Sequence, residues 1–488
     1  MHKQNAMTQN YSMTLQESTP AQIDAAVRSA VEANDQWASS SAAERSALLR
    51  ELASALEADR ERLVAIANEE SFLGAARLNG ELDRTAFQLR SFADAVDNGE
   101  AFAVIDDAAV PGGPPAGHPR LMRVNVPLGP VAMFSASNFP FAFSVLGGDT
   151  ASALAAGCPV VVKAHPAHPR LSNAVFDMAK VAAQRAGAPA GVLLMVSGAS
   201  REVGVYLVRH QDIAAVAFTG SVIGGMALQK EINARPKPIP FYGELGSTNP
   251  IIALPAALEK QGAELAKNLA ASIAQGCGQF CTSPGILIAY DDAVTNAFVN
   301  QLAAAMDSQN THAMLSPGIR KAFDDGVARL NRHAASKRMT TGEQNADRHP
   351  VPNLVSLDTE AFLRDPELRD EIFGPSCVVV RVKSTAQLLQ VLSAVGGSLT
   401  VTVWGADKND ADTQSIVRAA IRIAGRVLFS GVPTGVAVTR AQHHGGPFPS
   451  STQPQTTSVG LMAMHRFLRP VALQEPPAWL ADRSGVPL

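Results

Sequence analysis

Two short stretches of the chain carry groups suited to covalent chemistry. Gln279-Phe280-Cys281 sets a thiol in a bend rich in glycine (Gly276, Gly278, Gly285), and Glu244-Leu245-Gly246-Ser247 sets a carboxylate just after the apolar run Ile239-Pro240-Phe241-Tyr242. A thiolate can add to a carbonyl carbon, and a carboxylate can take a proton from the water that later releases the acyl group. Each residue also has a plain structural reading. A cysteine is usually a small buried hydrophobe, and a glutamate after a strand is usually a solvated end or half of an ion pair. The surrounding glycines favour chemistry at both places. Those near Cys281 let backbone approach a ligand, while Gly243 and Gly246 let Glu244 face a cleft. Thr282-Ser283-Pro284 reads as a turn or helix start, whose amides would favour an ionised thiol.

Further polar residues sit where a ligand could use them. Asn138, in Ser137-Asn138-Phe139-Pro140, is either a turn residue or an amide donor to an oxyanion alongside the backbone N–H of Cys281. Lys163 closes a Val-Val-Val run, as a snorkelling charge or as a cation for a ribose or phosphate. Gly220-Ser221 with Gly224-Gly225 opens a helix whose N–H groups suit a pyrophosphate, although the pattern is not GxGxxG. Cys277 is a packing residue or an oxidation partner for Cys281. No Cys/His set stands at metal-ligand spacing, so no metal is expected.

These residues lie at the ends of alternating elements. Ala21 to about Asn98 has helical periodicity, and Pro111-Gly112-Gly113-Pro114-Pro115 breaks it. Strands are expected over Val126–Ser135, Pro159–Lys163, Gly191–Val196 and Ile213–Phe218. Helices are expected over Phe143–Ala156, Leu171–Ala186, Arg201–Val208 and Ile223–Ala234, with Gly157 as a helix stop. Such alternation implies an α/β fold with a parallel sheet that binds ligands beyond the carboxyl ends of its strands. Those ends carry Asn138, Lys163, Ser197-Gly198 and Thr219-Gly220-Ser221. A second βα-rich segment runs from about Asn249 to Thr439. The apolar tail Ser458–Leu473 is expected to dock on a partner subunit. No internal repeat or low-complexity segment is evident.

The chain of 488 residues is 46% hydrophobic and 17% charged with net charge −3, a globular composition long enough for two or three cores. That balance gives no basic face for nucleic acid, and no apolar run is long enough to span a membrane. The polar start Met1–Ser18 lacks a signal-peptide core, and four cysteines fit a reducing compartment, so a cytoplasmic location is expected.

The chain resembles the aldehyde dehydrogenase superfamily through six segments in that family's order: Asn138-Phe139-Pro140, Lys163, Phe218-Thr219-Gly220-Ser221, Glu244-Leu245-Gly246, Gly278-Gln279-Phe280-Cys281 and Glu371-Ile372-Phe373-Gly374-Pro375. The resemblance spans nearly the whole chain. It implies a Rossmann-like cofactor domain (1–107 and 128–246), an α/β catalytic domain (247–440) and bridging or oligomerisation segments (108–127 and 458–480). It also implies a homodimer or homotetramer. Cys281 would be the nucleophile, Glu244 the base for thioester hydrolysis, and Asn138 a holder of the oxyanion. Lys163, Gly220 and Ser221 would hold the adenosine and pyrophosphate part of NAD or NADP. Gly246 is placed with the cofactor-binding set, and Glu371 and Phe373 would hold the nicotinamide ribose.

The segments Phe134–Phe143, Val162–Pro169, Val432–Val436, His444–Pro449 and Thr457–Gly460 resemble the subgroup acting on α-ketoglutaric semialdehyde (2,5-dioxopentanoate), and NADP-dependent fatty aldehyde enzymes share much of that pattern. The resemblance therefore implies a small-molecule aldehyde as partner. Many NAD-selective members carry a glutamate where this chain has Pro166, so NADP is expected to be accepted alongside or ahead of NAD. Arg201 is either a phosphate contact or a surface ion pair. Arg440 is either a cation for the substrate's far carboxylate or a solvated arginine. A CoA-acylating enzyme of the same fold typically lacks the base that Glu244 supplies, and a non-catalytic relative would not need Cys281, Glu244 and Asn138 together.

Overall fold

The computed structural model describes residues 16–345 and 349–481. Among the described residues four helices come first: Pro20–Ala38, Ala42–Ala58, Arg60–Ser71 and Ala75–Asp97. Thr19 and Ser41 begin the first two with capping boxes, their side chains accepting from the backbone N–H of Gln22 and Glu44. An antiparallel pair follows, β1 (Ile105–Asp107) with β2 (Leu121–Pro127).

The chain then builds a parallel sheet from β3 (Val131–Phe134), β4 (Val160–Lys163), β5 (Leu193–Val196), β6 (Ala215–Thr219) and β7 (Phe241–Glu244). Their order is β5-β4-β3-β6-β7, so the winding direction reverses between β3 and β6. A crevice opens at such a reversal, beyond the carboxyl ends of the strands. Apolar side chains cover both faces: Val131, Met133 and Val160 meet one helical layer, while Ala132, Val161 and Val216 meet another.

A second sheet contains β8 (Ile251–Ala253), β9 (Ile286–Tyr290), β10 (Lys337–Arg338), β11 (Asn353–Asp358), β12 (Ser376–Val382), β13 (Ser398–Trp404) and β14 (Ala424–Leu428), ordered β10-β11-β12-β9-β8-β13-β14. All of its pairings are parallel except that of β10 with β11. Last, β15 (Leu468–Gln474) returns to pair antiparallel with β2 along its whole length. No helix among the described residues is long and apolar enough to cross a membrane.

Two local expectations need revision. The run Val126–Ser135 is two strands in two different sheets, parted by Leu128-Gly129-Pro130. The helix expected from Phe143 begins at Gly148, because the Glu81 carboxylate accepts from the backbone N–H of Phe141 and Ala142 at 2.8 and 3.0 Å and holds that stretch in turns. Gly157 does end the helix, at φ 91°. The apolar tail is also anchored within its own chain. Beyond the pairing of β15 with β2, Arg466 donates to Asp149 at 2.6 Å, both buried, and so ties the tail to the helix Gly148–Ala156.

Candidate active site

Glu244 ends β7 and is gripped by backbone on both sides. Gly220 N–H donates to its carbonyl at 3.0 Å, and the neighbouring residues exchange bonds with a distant segment: Leu245 N–H with Ser450 O at 2.8 Å and Thr452 N–H with Gly243 O at 3.0 Å. Cys281 comes from the other sheet, on the loop before β9. Three successive residues of that loop, Gly276, Cys277 and Gly278, have φ of 54°, 61° and 65°. At Gly278 a Cβ would lie 2.2 Å from Gly374 C, so only glycine lets this loop meet the Glu371–Pro375 stretch. Asn249, itself at φ 46° and fully buried, fixes the loop further. Its Nδ2 donates to Cys281 O at 2.8 Å and Ser283 O at 2.9 Å, while its Oδ1 accepts from Ser247 and Thr400.

The fold brings thiol and carboxylate together, with an imidazole between them. His444 Nε2 lies 2.9 Å from Glu244 Oε1 and 3.5 Å from Cys281 Sγ. The three reactive atoms fall within 4.8 Å of one another. Ser458 Oγ donates to the second carboxylate oxygen of Glu244. Burial by itself would raise the Glu244 carboxyl, but the charge of His444 and the hydrogen bonds from His444, Ser458 and Cys281 bring it below its ordinary value. Cys281 moves the other way. Burial, then the charge of Glu244 and the bond to it, push the thiol well above its usual range, against a lowering by Arg84. The resting site therefore holds a neutral thiol close to an ionised carboxylate.

Asn138 is buried beside this cluster, and its Nδ2 donates to Gln279 O at 3.0 Å, two residues before the thiol. One amide hydrogen is thus spent on holding the Cys281 loop, and the other is left to face a ligand. Cys277 has turned elsewhere. Its Sγ donates to His312 O at 3.2 Å and packs with Met314, Phe323 and Val327. Arg440 is 69% exposed and pairs with Glu100 at 3.0 Å, as a surface arginine does.

Of the residues expected to hold a cofactor, Lys163, Arg201, Gly220, Ser221 and Gly246 lie at or after the carboxyl ends of first-sheet strands, while Glu371 and Phe373 precede β12. Lys163 is buried, and desolvation, partly offset by the charge of Glu17, pushes its ammonium down to about 8. It donates to the carbonyls of Gly198 and Ala164. Ser221 caps the helix Val222–Asn233 by accepting from Gly224 N–H at 3.1 Å, and Gly220 leaves the approach clear of side chain. Ile223 beside them is 81% exposed, an apolar face next to polar amides. At Gly246 a Cβ would lie 2.6 Å from Glu371 Oε2, so these two expected contacts are neighbours. Phe373 is half-buried two residues on. Arg201 opens the helix Arg201–Arg209 with an exposed side chain. Amide-rich helix starts, a buried cation and an apolar flank fit a dinucleotide.

Sequence reasoning missed His444, Ser458, Asn249 and the positively charged helix face described below. His444 and Ser458 were quoted only as parts of motifs. The signal available was a histidine beside Gly445-Gly446 in a stretch without periodicity.

Residues 1–465 match the Aldehyde dehydrogenase family. The chain is 41% identical over 462 residues to α-ketoglutaric semialdehyde dehydrogenase 2 of Azospirillum brasilense, covering 94% of this chain and 87% of that one. It is 38% identical over 460 residues to the α-ketoglutaric semialdehyde dehydrogenase of Acinetobacter baylyi, with the same coverage. An NAD-dependent aldehyde dehydrogenase structure from Sinorhizobium meliloti superposes with a TM-score of 0.79 at 22% identity, over 95% of this chain and 89% of that one. By sequence and by fold, the chain belongs to the aldehyde dehydrogenase family.

Proposed function

We propose that this enzyme oxidises 2,5-dioxopentanoate to 2-oxoglutarate through a thioester on Cys281. The observation that carries this reading is the buried cluster of Cys281, His444 and Glu244. The Cys281 thiol gives its proton to solvent, and the sulfur adds to the aldehyde carbon. Asn138 and the Cys281 N–H steady the oxygen as it gains charge. A bound nicotinamide cofactor supplies the hydride acceptor that turns this adduct into the thioester. Glu244, held ionised, then takes a proton from water, whose oxygen attacks the thioester carbon. The C–S bond then breaks, and acid and thiol are released.

The substrate assignment is supported by the two semialdehyde relatives, each matched over 94% of this chain. The family uses NAD or NADP. We place Lys163, Gly220, Ser221 and Arg201 on the adenosine and pyrophosphate side, with Gly246, Glu371 and Phe373 on the nicotinamide side. NADP is accepted because Pro166 presents no carboxylate to a 2′-phosphate. The four free cysteines suit a cytoplasmic enzyme, and we assign it a homodimeric or homotetrameric assembly. We assign a cofactor domain (1–107 and 128–246), a catalytic domain (247–440) and bridging segments (108–127, 458–480), with β1 paired into the small sheet.

The test is turnover of 2,5-dioxopentanoate with NAD or NADP and without CoA. We expect steady release of 2-oxoglutarate, and none from Cys281→Ala. Glu244→Gln should give about one equivalent of reduced cofactor per site and then slow turnover. A strict need for CoA would overturn the hydrolytic reading. Loss of the burst would place Glu244 before hydride transfer.

A further inference from the structure

The helix Ala75–Asp97 turns Arg77, Glu81, Arg84 and Gln88 toward the active-site loops, at spacings of one helical turn. Most of these groups have structural work. Arg77 donates to Asn138 O at 2.7 Å and lies 5.0 Å over the Phe139 ring and 4.6 Å over the Phe280 ring, so it fixes the residues beside Asn138 and Cys281. Glu81 spends one oxygen on the Phe141 and Ala142 amides.

Arg84 has no such employment. Its guanidinium lies 5.6 Å over the Phe143 ring, within the aromatic cluster that includes Phe139 and Phe280. Its Nε and Nη2 are both buried, and among the described residues neither has a hydrogen-bond partner. Arg84 takes part in no ion pair within 4.0 Å there, so Glu81 does not neutralise it at contact. Unpaired buried guanidinium groups are costly, and one edge carrying two free N–H groups is the geometry that grips a carboxylate in bidentate fashion. The charges that bear on Arg84 are those of Cys281, Glu81 and Glu244, which sets it within electrostatic reach of the thiol.

We propose that the Nε–Nη2 edge of Arg84 is the subsite for the distal carboxylate of the substrate. The proposal rests on the semialdehyde reading above and gives it a specificity residue. Arg440, paired with Glu100 at the surface, is thereby relieved of that role.

The test compares kcat/KM for 2,5-dioxopentanoate and for pentanal in the wild type, Arg84→Met and Arg84→Lys. The expected result is a collapse of the acid-to-pentanal ratio by about 100-fold in Arg84→Met, mainly through KM, with Arg84→Lys intermediate. Equal losses on both substrates would mean a purely structural arginine and would overturn the proposal, as would an unchanged ratio. Glutarate, as a dead-end inhibitor against pentanal, reads the subsite apart from the substrate assignment. Its Ki should rise at least tenfold in Arg84→Met. If wild-type enzyme left 2,5-dioxopentanoate untouched while glutarate still competed through Arg84, the substrate reading would fall and the anion subsite would stand. If glutarate bound wild type and Arg84→Met alike, the subsite would fall.

Discussion

Glu244 receives hydrogen bonds from His444 and Ser458, so its ionised state is held by neighbours about 200 residues away along the chain. The imidazole adds charge to that hold, and the substitution His444→Gln separates charge from donor. Glutamine can still donate to Glu244 but cannot be protonated. With the lowering influence gone, the Glu244 carboxyl titrates at higher pH, and the acid limb of the kcat–pH profile should move upward. At pH 7 we expect kcat to fall on the order of tenfold, the size of one charge-assisted bond. An unmoved pH profile would assign His444 to packing alone. Cys281 and Glu244 were readable from sequence because glycines flank both. His444 was not, since it stands 200 residues from the carboxylate it serves. Asn249 was hidden for a similar reason. Its importance lies in three hydrogen bonds to other segments, which local pattern does not encode.

The helices and strands of the first sheet follow their sequence periods closely, because each buries its apolar residues against an immediate neighbour in the βα alternation. Prediction fails where a remote side chain satisfies the backbone. Glu81 does this for Phe141–Ala142. The same kind of remote partner stands near Lys163. Glu17 reaches the start of the helix Arg201–Arg209, where its carboxylate accepts from Ser200 N–H at 2.7 Å and Ser200 Oγ at 2.6 Å. A carboxylate thus occupies the anion-favouring helix end nearest Lys163 and Arg201. A 2′-phosphate brought to that end must face it. Glu17→Gln should therefore raise the NADP-to-NAD ratio of kcat/KM by about two- to fivefold, the scale of an exposed charge interaction. A ratio that stays put or falls would remove Glu17 from cofactor selection.

The site exists only where three parts of the molecule meet. Glu244 ends the first sheet, Cys281 precedes β9 of the second, and His444 and Ser458 lie on the segment that leads back to the small sheet. That segment continues through 461–467 into β15, and its firmest side-chain anchor is the buried Arg466–Asp149 pair at 2.6 Å. Removing one member of such a pair strands a charge in the interior and costs about 3–5 kcal/mol, whereas replacing both with apolar residues can restore the loss. Arg466→Met should accordingly lower the urea midpoint, and adding Asp149→Leu should recover most of it. The catalytic consequence follows from connectivity. Ser458 lies eight residues before Arg466, so a loosened tail frees the Ser458 hydroxyl from Glu244 and weakens the seat of His444. In Arg466→Met, kcat for aldehyde oxidation should fall under conditions where the protein remains folded, and the double variant should regain activity together with stability. Full kcat in a destabilised Arg466→Met would show that the site is held by the two large sheets alone, with the tail contributing only to the stability of the whole.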